Sequence, residues 1–275
     1  MTLSTTRNNP AKQKKVKTKK QKAIAATCAV AFWLLVWHIV SLCVGSKLVL
    51  VSPVKVMQTL FTVIFDPDFL KTVWYSAARI LGGFFTALTL GTVLGWVASR
   101  VWVVETLLRP ITAVIKATPV ASFIILVLLW FSGKNLSVII SMLMVFPVIY
   151  MNVLEGIRSA NEKLLEMAQV FRLSAGKKLL YIYLPAVAPF FVSACSVSLG
   201  LCWKSGIAAE VIGTPDGSIG AVFYQAKIFL QTSELLAWTV VVVAVSVAFE
   251  KLFMFLLRLV LKKLKMEDVL NGKRA

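Results

Sequence analysis

Apolar residues in this chain fall in long blocks separated by short polar and basic stretches. The first block, residues 23–44, is long enough to cross a bilayer. It follows a basic stretch, yet no small-x-small cleavage site comes after it, so an uncleaved anchor is expected. Residues 54–65, VKVMQTLFTVIF, place apolar side chains at helical spacing and run into Asp66-Pro67-Asp68. That pattern predicts a helix lying at a membrane surface and stopped by the turn. Residues 73–98 predict a second span, with Gly91 and Gly95 forming a small-xxx-small packing face. Residues 106–131 are apolar but interrupted by Pro110, Lys116 and Pro119, which predicts a third span that is bent or broken. Residues 136–154, with Pro147 inside, then 186–205 and 235–257, complete the set. EVIGTPDGSIG, residues 210–220, is rich in turn formers and is expected as a loop.

The fold class expected is therefore an all-α integral membrane protein with about six transmembrane helices. Composition agrees: 59% of the 275 residues are hydrophobic and 15% are charged. Soluble domains sit nearer half and a quarter. The organisation predicted is a basic tail over 1–22, a transmembrane domain over 23–257 and a second basic tail over 258–275. The net charge of +18 changes this picture only through its placement. The segments expected on the inner side, 1–22, 99–109, 155–185 and 258–275, hold 21 of the 30 Lys and Arg residues. Lys47, Lys55, Lys71, Lys134 and Lys227 fall on the other side. By the positive-inside rule both termini are expected in the cytoplasm. Basic stretches beside apolar runs meet lipid headgroups, which argues against nucleic acid as a partner. The four cysteines make no CxxC pair, and a single histidine, His38, cannot build a metal or catalytic cluster.

The longest inner segment, 155–185, contains LLEMAQVFRLSAGKKLLYIYLP, residues 164–185. Leu164, Leu165, Ala168, Phe171 and Leu179 are apolar at spacings that fit short helices, and Ser174-Ala175-Gly176 breaks the pattern. A short amphipathic helix so placed either docks into a groove on a soluble partner or lies on the headgroups. Physical chemistry alone leaves both open.

This passage resembles the cytoplasmic loop of binding-protein-dependent ABC importer permeases, whose pattern is Glu-Ala-Ala, three residues, Gly, nine residues, Ile-x-Leu-Pro. Glu166, Met167 and Ala168 match the triplet with one change, and Ile182, Leu184 and Pro185 fall in register. Arg172 stands where the family has Gly, with Gly176 as a later candidate for the turn. SAARILGGFFTALTLGTVLGW from Ser76, RPITAVIKATPVASFIILVLLWFSGKN from Arg109 and WKSGIAAEVIG from Trp203 are similar to the branch serving nitrate, taurine and alkanesulfonates.

The resemblance implies the MetI-like permease fold and a transport subunit, not an enzyme, in a bacterial cell membrane. It implies ABC ATPase subunits that hold ATP and Mg, with no cofactor on this chain. The chain has no G-x-x-x-x-G-K-[ST] phosphate loop. It implies, further, an extracytoplasmic substrate-binding protein, a second permease copy in a homodimer, and membrane lipids around the spans. Leu165, Glu166, Ala168, Phe171 and Arg172 are the residues expected to couple to the ATPase. Lys116, Lys204 and Glu210, charged and inside or at the edge of spans, are the candidates for the substrate path. A Lys204–Glu210 ion pair is the simpler alternative for those two. An ion-coupled secondary transporter is the other class of reading, and it would call for acidic relays within the spans.

Overall fold

In a computed structural model the described residues are 19–45 and 50–264. Of the expected tails over 1–22 and 258–275, residues 1–18 and 265–275 lie outside them, and the rest continues α1 and α11. All regular structure among the described residues is helical. The chain divides into two units, Met1–Lys55 and Val56–Ala275. The first holds α1 (Lys19–Val44), and the Ser41 hydroxyl donates to the Leu50 carbonyl at 3.0 Å. The helix α2 (Pro53–Ile64) starts with proline, whose missing N–H costs nothing in a first turn. It ends at Ile64, and Asp66 Oδ1 accepts from the Asp68 amide at 2.8 Å in the turn that follows.

The second unit is organised by three long helices, α3 (Phe69–Arg100), α6 (Gly133–Arg158) and α9 (Leu184–Gly213). Helices α3 and α6 run in the same direction and touch along a glycine seam. A Cβ on Gly83 would lie 2.9 Å from Ser141 Cβ; one on Gly91 or Gly95 would lie 3.0 Å from Ile149 or Val153. The expected small-residue face is thus the contact that brings two backbones together. Helix α9 runs antiparallel to both, with Gly156 of α6 against Val187 and Gly206 of α9 against Ile80 and Ser141. Ile80, Phe84, Val145, Ile149, Leu199 and Cys202 fill the space between the three.

Two parallel neighbours need a return segment, and α4 (Trp102–Ala117) with α5 (Val120–Trp130) supplies it. The two are bent by 110° at Thr118-Pro119. Thr118 is extended, as a residue before proline prefers. At 11 residues, α5 is about 17 Å long, too short to cross a hydrocarbon core alone. Among the described residues, five helices are long and apolar enough to span, and the broken pair counted as one span brings the number to six. Pro110 and Pro147 sit within α4 and α6 without ending them.

Two differences from expectation bear on Glu210. Helix α9 continues to Gly213 rather than stopping near 205, so Glu210 lies in its last turns and not in a loop. Then, after a turn in which Thr214 has φ +41°, α10 (Ile219–Ile228) begins inside the stretch expected as a loop. The Ser218 hydroxyl caps α10 by accepting from the Ala221 amide at 3.0 Å. Last, α11 (Thr232–Lys263) buries little beyond Ala237, Trp238, Val241 and Leu261. Phe253 of α11 meets Phe84 edge to face at 5.3 Å.

Replacing Gly91 with Leu is expected to force α3 from α6 and to cost about 1–3 kcal/mol. Gly82→Leu, which meets open space, is expected to leave stability unchanged. Thermal melting of the purified chain in detergent checks both, and equal melting temperatures would remove the seam from the account.

Candidate functional site

The segment expected on the inner side closes α6 and then folds as α7 (Glu162–Val170), a turn, then α8 (Ala175–Lys178). A π-helical turn over Leu179–Tyr183 leads α8 into α9. Asn161 starts α7 by accepting from the Lys163 amide at 3.0 Å, and Glu162 in the first turn suits the positive end of the helix. The end of α7 is a Schellman motif. The Leu173 amide donates to the Ala168 carbonyl at 2.9 Å and the Arg172 amide to the Gln169 carbonyl at 3.0 Å. The pivot is Arg172, at φ +50°. The turn therefore stays where the family has its glycine; Gly176 lies within α8 and does not supply it.

Ala168 is 0% exposed and packs with Ala160 and Ile182, flanked by Leu165, Leu173 and Tyr183. This seat sets α7 against the turn that follows α6 and the π-helical turn that leads into α9. It also divides the five expected coupling residues. Glu166 and Arg172 are exposed, and neither has an ion pair among the described residues. Phe171 is 71% exposed. Leu165 is half-buried. Ala168 offers no surface to a partner: a small side chain there lets α7 lie flat on Ile182. In its place the outer face adds Val170, 79% exposed, and Met167. Positions 167, 170 and 171 stand on one side of a helix, a spacing readable in the sequence.

Near this end of the bundle, Arg158 closing α6 pairs with Glu105 in the first turn of α4. Arg100, closing α3, lies 5.3 Å from the Trp96 ring and 4.8 Å from the Tyr183 ring.

The three expected path residues are not brought together. Glu210 is fully buried at the opposite end of α9. Its Oε2 accepts from the Ser76 hydroxyl at 2.6 Å and from the Gly220 amide at 3.3 Å. The Ser76 hydroxyl in turn accepts from the Ile219 amide at 2.9 Å. The carboxylate thus binds the start of α10 to α3 and α9, and nothing outside the subunit can reach it. No ion pair joins it to Lys204, which lies exposed on another face of α9. Lys116 is exposed on α4, with Nζ 3.5 Å from Met151 Sδ. Arg79 lies over the Tyr75 ring at 4.4 Å. Buried in a bilayer-spanning unit, a carboxylate needs such donors; only the turn-rich sequence around it hid this role.

The described residues thus form a helical bundle with a broken span, close glycine contacts and a short helix between two long ones. Residues 87–266 match the family of binding-protein-dependent transport system inner membrane components, and the chain belongs to it. It is 28% identical over 214 residues to a putative aliphatic sulfonates transport permease protein of Bacillus subtilis, across 77% of each chain. It is 27% identical over 220 residues to the taurine transport system permease protein of Escherichia coli, across 78% of this chain and 80% of that one. It is 26% identical over 214 residues to a nitrate import permease protein of a Synechocystis strain, across 74% and 76%. The chain is the permease component of an ABC importer and carries transport, not catalysis.

Arg172 in the left-handed region carries strain that glycine lacks. Arg172→Gly is expected to raise stability by about 1 kcal/mol. A rise in melting temperature of the purified chain checks this, and a fall would place the turn elsewhere.

Proposed function

We propose that this chain forms half of a translocation path for a small anionic or zwitterionic solute and takes its energy from a separate ATPase docked on α7. The observation that carries the reading is the exposed face of α7, with Glu166, Met167, Val170 and Phe171 outward and Ala168 anchored inward. An apolar face beside an unpaired carboxylate fits a groove on a soluble partner better than it fits a headgroup layer rich in anions.

The mechanism is a coupling between two sites. When ATP closes the ATPase pair, the docked α7 is carried with it. Because α7 is seated between α6 and α9, the force reaches the spans that build the path. The two conformations need different contacts with the ATPase, and distance alone does not couple them. Two copies related by a two-fold axis complete the path, since one gene product closes most simply on itself. A binding protein on the far side delivers the solute. Lys116 and Lys204, both exposed cations on the spans, favour sulfonate, taurine or nitrate-like solutes. Both termini then lie in the cytoplasm with α7.

Glu166→Lys and Phe171→Asp are each expected to weaken docking about 30-fold, as loss of an anchoring contact does. Coupled uptake and ATP hydrolysis should both fall, while the amount of chain inserted in the membrane stays constant. Uptake at the starting level in both variants would refute the docking face.

A further inference from the structure

Two adjoining hollows open at the α7 end of the bundle. The first, about 570 Å³, has Arg100, Lys178 and Gln169 at its mouth and Trp96, Leu179 and Tyr183 as its floor. The second, about 400 Å³, shares those three floor residues. It continues along α3 to Thr92, between Val153 of α6 and Val187 of α9. From Arg100 to Thr92 is about 12 Å along the helix axis. The first hollow is mostly apolar but carries two cations; the second is almost wholly apolar.

No acidic residue lines either hollow. Neither Arg100 nor Lys178 has an ion pair among the described residues. The Arg100 guanidinium lies over the Trp96 and Tyr183 rings, and no ion pair among the described residues takes its N–H groups. Guanidinium donors held in this way match phosphate oxygens. Trp and Tyr gather where hydrocarbon meets headgroups, and basic pockets between spans hold anionic heads. An anion alone would leave the apolar slot bare, and a plain acyl chain would leave two cations unmatched.

We propose that this double hollow binds one phospholipid of the adjacent leaflet, with its anionic headgroup on Arg100 and Lys178 and one acyl chain in the slot past Trp96. Leu165 and Gln169 of α7 line the headgroup side, so the lipid would brace α7 against the bundle. The site rests on the chain's crossing the membrane and not on what it transports.

The test is native mass spectrometry of the full chain purified in detergent and titrated with phosphatidylglycerol or with phosphatidylcholine of the same acyl chains. Phosphatidylglycerol should be retained in preference. Arg100→Gln and Lys178→Gln should each weaken it about fivefold. Val93→Trp, on an exposed position lining the slot, fills it without touching charge and should also displace the lipid, with melting unchanged. Equal retention of the two lipids would overturn the site. So would charge variants that lose the lipid while Val93→Trp keeps it, or displacement by inorganic phosphate. If Val93→Trp changes only dimer formation, the slot belongs to a second copy and the proposal fails.

Discussion

The close approach of α3 and α6 along Gly83, Gly91 and Gly95 is the contact from which the rest of this subunit follows. In a bilayer, apolar side chains gain little by leaving lipid for protein, so helices associate through tight packing and shared hydrogen bonds. Glycines let two backbones come near enough for that packing. Because α3 and α6 run in the same direction, the chain between them must return, and it does so through the pair broken at Thr118-Pro119. Helix α9 then fits antiparallel across both, through Gly156 and Gly206.

The two ends of this three-helix frame are fastened in different ways. At one end, the Glu210 carboxylate draws Ser76 and the amide of Gly220 together, which fixes the start of α10 against α3 and α9. At the other end, the fastening is apolar: Ala168 under Ile182 seats α7 between α6 and α9. An outward carboxylate and aromatic ring on a helix seated in this way make a handle, and the proposed ATPase contact uses it. Positioning comes from the buried side of α7 and recognition from the exposed side, so substitutions on the two sides should have different effects.

Much of this was legible in the order of residues. Long apolar runs announced the spans, and the register from Glu166 to Ile182, Leu184 and Pro185 marked the segment proposed to meet the ATPase. The Gly91-x3-Gly95 face was visible, though its partner on α6 was not. Where the reading stopped short, packing had decided the outcome. Gly213, Pro215 and Gly217 look like one continuous loop, so they concealed the last turns of α9 and the capped start of α10. Glu210 read as a charge near a path because a sequence does not reveal that Ser76, 134 positions earlier, will meet it. Ala168 and Phe171 looked alike as apolar positions of one amphipathic helix. Which of them turns inward depends on where Ile182 comes to rest.

The central claim is that α7 moves as one body with the spans that hold it. Spin labels at positions 155 and 163 of one subunit, with Cys28 and Cys43 replaced, test it most directly in the assembled transporter. Both positions are exposed, and Cys195 and Cys202 are buried. The account predicts one distance distribution, unchanged between the nucleotide-free and ATP-trapped states. A shift of about 5 Å, one helical turn, would mean that α7 slides on its seat and does not transmit the motion.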